Sequence, residues 1–118
     1  MPSNWPRRSD RAMRSSVPPI ALAVLLLSSP PAVAAPQTHT VVIERMKFGP
    51  MPLAVRPGDR IVWINKDMFL HTATAKDGSF NVDLPPGAHV SSVVKRPGAI
   101  PVFCRYHPGM RATLQVSP

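Results

Sequence analysis

Over the last two thirds of the chain, apolar and polar residues alternate in short runs, whereas one unbroken apolar run lies near its start. The short runs are 40–46, 52–56, 60–64, 71–75, 80–83, 89–95, 99–103 and 112–116, rich in β-branched and aromatic residues. Side chains that switch face at every residue predict half-buried strands for these segments. Gly49-Pro50, Pro57-Gly58-Asp59, Asp77-Gly78, Pro85-Pro86-Gly87 and Pro97-Gly98 punctuate them with turn chemistry. No window longer than ten residues in this region shows a clean helical period, and its prolines oppose one. The pattern predicts an all-β sandwich or barrel with Leu53, Val55, Ile61, Trp63, Val82, Leu84, Val93, Leu114 and Val116 in its core. Ile100, Val102 and Cys104 share parity, so the cysteine is expected to point inward at the end of its strand.

The unbroken run, residues 17–27, follows a basic stretch of Arg7, Arg8, Arg11 and Arg14, offset only by Asp10. Ser28-Ser29-Pro30-Pro31 breaks any helix, and Ala32-Val33-Ala34 supplies the small residues that a signal peptidase reads. This is the three-part pattern of a secretory signal. A membrane span needs about 17–25 apolar residues, and this run is shorter and flanked by prolines. The sequence therefore predicts a signal over 1–34, cut after Ala34, and a single domain over 35–118 without stable membrane insertion. Met13 could serve as the start, making 1–12 an upstream extension. Arg7-Arg8 invites a twin-arginine reading, but Ser9, Asp10 and Arg11 follow where an apolar residue is needed, which favours general secretion.

Cleavage removes four arginines and one aspartate, so the net charge falls from +8 to +5. A basic surface favours acidic partners. The basic residues form neither a block nor a helical stripe, and no nucleic-acid motif is present, which excludes that class of partner. Cys104 is the single cysteine of a chain predicted to be exported. In that setting cysteines usually come in disulfide pairs, and a lone one must be free, shared between chains or occupied.

A metal would occupy it. Cys104, His107 and Met110 lie within seven residues, and His71 precedes them. One thiolate, two imidazoles and a weak axial thioether make the ligand set of a blue-copper electron-transfer site. Pro108 restricts the ligand loop, and Gly109 is expected to let the chain turn so that Met110 comes back to the metal. Asn65 and Thr72 are candidates to hydrogen-bond between the two ligand segments. Phe69, Leu70 and Tyr106 are candidates for an apolar rim around His107, and Arg105 and Arg111 for steering an acidic partner.

From Met46 to Val116 the sequence resembles the cupredoxins, the plastocyanin and azurin superfamily, and most nearly the amicyanin and pseudoazurin group. The resemblance rests on Phe48 to Leu53, Val55-Arg56-Pro57-Gly58-Asp59, Val62-Trp63-Ile64-Asn65, His71-Thr72 and Gly78-Ser79-Phe80. It continues through Leu84 to Gly87, Pro97-Gly98 and Cys104 to Met110. It implies a small Greek-key β-sandwich of seven to eight strands holding one copper ion at His71, Cys104, His107 and Met110. It implies further a periplasmic monomer that shuttles electrons and is not an enzyme. The implied partners are redox proteins: a cytochrome c, a quinoprotein dehydrogenase, or a copper oxidase or reductase. The chain departs from the family in having little before Thr40, in Phe69 and Leu70 before His71, in Ser91-Ser92-Val93, and in Arg105 and Arg111.

Competing readings remain. The same ligands suit a periplasmic copper-delivery protein, and thiolate and imidazole also bind zinc. A Cys-His nucleophile would need a cleft and an orienting group for the histidine, and would leave Met110 without a role. His39 and His89 have no supporting neighbours and are expected to face solvent or cap strands. Met46, Met51 and Met68 read as core or rim residues, and Trp63 as packing. Glu44, Asp59, Asp67, Asp77 and Asp83 form no convergent pair for acid–base chemistry.

Overall fold

The computed structural model describes residues 2–6, 14–32 and 34–118. By their contacts the residues divide into two units, Met1–Ala32 and Val33–Pro118. The described residues of the first unit carry no helix or strand. Arg7, Arg8, Asp10, Arg11, Met13 and Val33 of the expected signal lie outside the described residues. Among the described residues, no helix is long and apolar enough to cross a membrane.

The second unit is an all-β sandwich of two four-stranded sheets. Its strands are β1 (Thr38–Glu44), β2 (Lys47–Phe48), β3 (Arg60–Asn65), β4 (His71–Ala75), β5 (Asn81–Leu84), β6 (His89–Val93), β7 (Gly98–Cys104) and β8 (His107–Val116). One sheet has the order β2-β1-β3-β6 and the other β5-β4-β7-β8. β1 runs parallel to β3, and the remaining pairs are antiparallel.

Alternation explains the core between the sheets. Val41 and Ile43 of β1, Ile61 and Trp63 of β3, and Ile100, Val102 and Cys104 of β7 all point inward, as do Leu114 and Val116 of β8. Trp63 is fully buried between Phe48 and Phe80, at ring-centroid distances of 6.0 and 5.7 Å. Its indole N–H donates to Ser92 Oγ at 2.9 Å, so the one polar atom of the largest core residue is satisfied. Its role is packing, as the sequence suggests.

Two expectations fail, one at a run of prolines and one in the choice of inward face on β6. The 52–56 run is no strand. Pro50, Pro52 and Pro57 remove backbone donors, Ala54 takes a left-handed φ of 58°, and the segment keeps one isolated bridge, Val55 to Val116. Leu53 is consequently 85% exposed, while Val55 is buried as expected. Alternation holds through β6 with the even positions inward, so Val90, Ser92 and Val94 face the core and Val93, on the opposite parity, is 39% exposed. Val82 is half-buried against the core. Gly49 is required by close packing: a Cβ there would stand 2.6 Å from the carbonyl oxygen of Val42.

A carboxylate closes one end of the sandwich. Asp59 accepts hydrogen bonds from Gln37 N–H, Arg56 N–H and the Nε2–H of His39, at 2.9, 3.0 and 2.9 Å. His39 is therefore half-buried and tied down rather than solvent-facing, whereas His89 is exposed. The Gln37 N–H, the His39 imidazole and the Arg56 N–H lower the Asp59 pKa from 3.8 to about 2, against the opposing effect of burial. A carboxyl depressed by folding contributes stability above its unfolded pKa and loses it as pH falls through the folded value. About 2 kcal/mol of stability should disappear between about pH 4 and about pH 2 through this group. Urea unfolding of the protein and of Asp59→Asn across that range checks this: the variant is less stable at pH 7, and the gap closes towards pH 2. A gap of constant size would refute it.

Candidate metal centre

Three side chains meet at the opposite end of the sandwich, each delivered by a strand terminus. His71 opens β4, Cys104 closes β7 and His107 opens β8. Cys104 and His107 pair across a two-residue hairpin turn, Arg105-Tyr106. Phe103 pairs with Arg111 while its neighbour Cys104 pairs with His107, so residues 108–110 have no partner on β7. The expected loop is thus a bulge within an extended β8. Gly109 has open space around it and no left-handed φ, so the backbone does not require glycine there. The bulge re-aims the chain: Pro108 and Gly109 are exposed and Met110 is buried with the core.

The β4–β7 ladder ends at Thr74–Phe103, and Thr72 joins the two strands beyond it. Its N–H donates to Cys104 Sγ at 3.4 Å, and its Oγ1 accepts from Arg105 N–H at 2.9 Å. The hydroxyl hydrogens have one consistent arrangement. Thr74 donates to Asn81 Oδ1, so Thr72 donates to Thr74 Oγ1, at 3.0 Å. The expected role of Thr72 between ligand segments is realised. Asn65 acts elsewhere: fully buried at the end of β3, it donates to the carbonyls of Phe69 and Leu84 and accepts from Asp67 N–H. It thereby folds the 65–70 loop.

That fold brings up a residue absent from the sequence-derived site. Asp67 accepts from the Nε2–H of His71 at 2.8 Å. Burial opposes the charged carboxylate, but hydrogen bonds from Met46 N–H, the His71 imidazole and Arg45 N–H outweigh it and hold the pKa below 3.8. The contact assigns the Nε2–H tautomer to His71, which leaves the Nδ1 lone pair free. The only sequence signal was a carboxylate four residues before the histidine, indistinguishable from ordinary turn polarity.

His71 Nδ1 lies 3.2 Å from His107 Nδ1, and Cys104 Sγ lies 3.9 and 3.5 Å from the two nitrogens. A triangle with those edges has a centre about 2.1 Å from each corner, which matches first-row metal bonds of about 2.0–2.3 Å to nitrogen and sulfur. Among the described residues, His71, Cys104 and His107 are the group of histidine, cysteine and acidic side chains able to hold an ion. The donor set therefore fits a thiophilic transition metal. His71 and Cys104 are buried and His107 is half-buried. Met110, the fourth expected residue, is buried three positions after His107, while the converging atoms belong to the other three.

Around this end Phe69, Leu70 and Tyr106 are substantially exposed, and so is Met68, which of the two readings, core or rim, leaves the rim. Met46 and Met51 are half-buried against the core. Arg105 pairs with Asp83 and lies over the Tyr106 ring, and Arg111 Nε donates to the carbonyl of Pro108. Lys76, Arg105 and Arg111 flank a cavity of about 670 Å³ beside the hairpin, with Phe103 and Pro101 in its wall.

Residues 19–116 match the family described as cupredoxin-like domain. Among solved structures, the Cu(I) form of one amicyanin variant is 26% identical, with a TM-score of 0.58 over 71% of this chain and 86% of that one. A second amicyanin variant, also Cu(I), is 24% identical, with a TM-score of 0.57 over 68% and 82%. A Cu-containing nitrite reductase from Thermus scotoductus is 25% identical, with a TM-score of 0.60 over 76% of this chain but 25% of that one. No curated protein matches.

Asn65→Ala should remove three hydrogen bonds at a fully buried position and cost about 3 kcal/mol. Denaturant unfolding measures the loss, and amide exchange should show the Asp67 N–H losing protection first. Wild-type protection at Asp67 in the variant would contradict the assignment.

Proposed function

Since the chain belongs to the cupredoxin-like domain family, we propose that it is a small type 1 (blue) copper protein that shuttles single electrons between periplasmic redox partners. One copper ion would be held by His71, Cys104 and His107, with the Met110 thioether as the fourth ligand. The convergence of two Nδ1 atoms and one Sγ about a point at metal-bond distance carries this reading. Bound copper supplies a Cu(II)/Cu(I) couple that thiolate and imidazole accommodate in both states.

The chain's own residues do the rest. Asp67 fixes the orientation and tautomer of His71. Thr72 holds Sγ through its N–H and the hairpin through its hydroxyl. Donors held by hydrogen bonds to strand ends keep one geometry, which suits electron transfer with little rearrangement. Half-buried His107 offers an edge through which electrons reach the surface. Phe69, Leu70 and Tyr106 beside it offer apolar contact area, and Arg105 and Arg111 favour a partner that is acidic at its docking face. Redox proteins such as a cytochrome c, a quinoprotein dehydrogenase or a copper oxidase or reductase fit that description. A nucleophilic role for Cys104 is disfavoured, because the residue is only 2% exposed. Removal of a signal over 1–34 leaves a monomeric domain over 35–118, whose first strand starts at Thr38.

Copper(II) titration, read by visible absorption and EPR, tests the assignment against Cys104→Ser. One equivalent should produce an intense visible thiolate-to-copper band with narrow hyperfine splitting, absent from the variant. Copper bound without that band would reject the blue-copper site. Rapid transfer of Cu(I) to an apoprotein would replace electron shuttling by copper delivery.

A further inference from the structure

Asp67 makes more contacts than the orientation of a histidine needs. Besides His71 Nε2–H, its carboxylate accepts Arg45 N–H on Oδ1 at 2.7 Å and Met46 N–H on Oδ2 at 2.9 Å. Met46 N–H and His71 Nε2–H therefore share Oδ2. Arg45 and Met46 form the two-residue turn between β1 and β2, where Glu44 pairs with Lys47. Both have left-handed φ, 53° and 59°. A hairpin turn with two positive φ angles favours residues such as Asn-Gly, and neither arginine nor methionine takes that conformation without support. Such backbone persists only where its surroundings hold it. The Asp67 carboxylate does so by collecting both turn amides.

The same contacts act in the other direction. Two backbone N–H groups, fixed by the hairpin, pin the carboxylate and aim Oδ2 at His71. The sheet edge and the imidazole are thus joined through one side chain that belongs to neither. We propose that Asp67 is a positioning residue coupling the strained β1–β2 turn to His71, and that it sets both the tautomer and the electron-donating strength of that imidazole. The tautomer part concerns this chain alone; the part about donating strength rests on His71 being a copper ligand. An anion opposite the distal nitrogen of a ligating histidine makes the ring a stronger donor, which favours the more highly charged oxidation state.

Metal-free protein labelled with ¹⁵N tests the tautomer directly, with amide exchange reporting the turn. Wild type should show His71 as the Nε2–H tautomer and protected amides at Arg45 and Met46. In Asp67→Asn the amide group cannot accept from all three donors. The two turn amides should lose at least tenfold in protection, and the Nδ1–H form of His71 should become populated. Asp67→Glu should restore part of both signals if a carboxylate is what matters. Arg45→Asn, which keeps the backbone amide and suits a left-handed φ, should leave the tautomer at its wild-type value. With copper added, Asp67→Asn should show a more positive reduction potential and about ten- to a hundredfold weaker Cu(II) binding. An unchanged His71 tautomer in Asp67→Asn overturns the proposal, as does a wild-type turn without protected amides. Should Asp67→Asn fail to fold, the wild-type tautomer and turn protection, with the Asp67→Glu comparison, still decide it. A wild-type protein that takes up no copper while its His71 tautomer depends on Asp67 rejects the copper reading and leaves the positioning role standing.

Discussion

The arrangement depends on where β4 and β7 stop being a ladder. Their pairing ends at Thr74–Phe103, and Thr72 spans the divergence with one backbone donor and one hydroxyl. Had the ladder continued, Cys104 and the start of β4 would be engaged in sheet bonds and the hairpin would lie flat on the sheet. Had the strands separated without Thr72, the Arg105 amide would lose its partner on β4 and the buried Cys104 sulfur its backbone donor, which is costly where solvent does not replace it. The single threonine permits an opening wide enough for three donor atoms and closed enough to hold them at fixed distances.

Two aspartates bracket β3 in the same manner. Asp59, just before the strand, collects two backbone N–H groups and the His39 imidazole. Asp67, just after it, collects two backbone N–H groups and the His71 imidazole. Each satisfies several donors with one carboxylate, which is why both pKa values fall. The chemistry is shared and the consequences differ. At Asp59 the histidine belongs to β1, which pairs with β3, so the carboxylate secures a sheet already formed. At Asp67 the histidine belongs to the other sheet, so the carboxylate links the two sheets at the candidate metal centre.

Alternation, turn residues and a lone cysteine near two histidines and a methionine were determined by the sequence alone. Seven of the eight expected runs are strands because period-two patterning acts locally, residue against residue. Cys104 points inward for the same reason, by parity with Ile100 and Val102. The tertiary structure decided what parity cannot carry across a proline, a bulge or a strand end. Leu53 is outside because the alternation is interrupted at Ala54, whereas at β6 the alternation holds and the fold decided which parity faces the core, placing Val94 inside and Val93 outside. Residues 108–110 extend as a bulge because the hairpin register between Cys104 and His107 forces three unpaired residues onto one strand. Asp67 was invisible for a stronger reason. Its partners are Arg45 and Met46, more than twenty residues earlier, and His71, four residues later. Only the folded chain makes one carboxylate their common neighbour, because hydrogen bonds depend on distance in space and not on separation along the sequence.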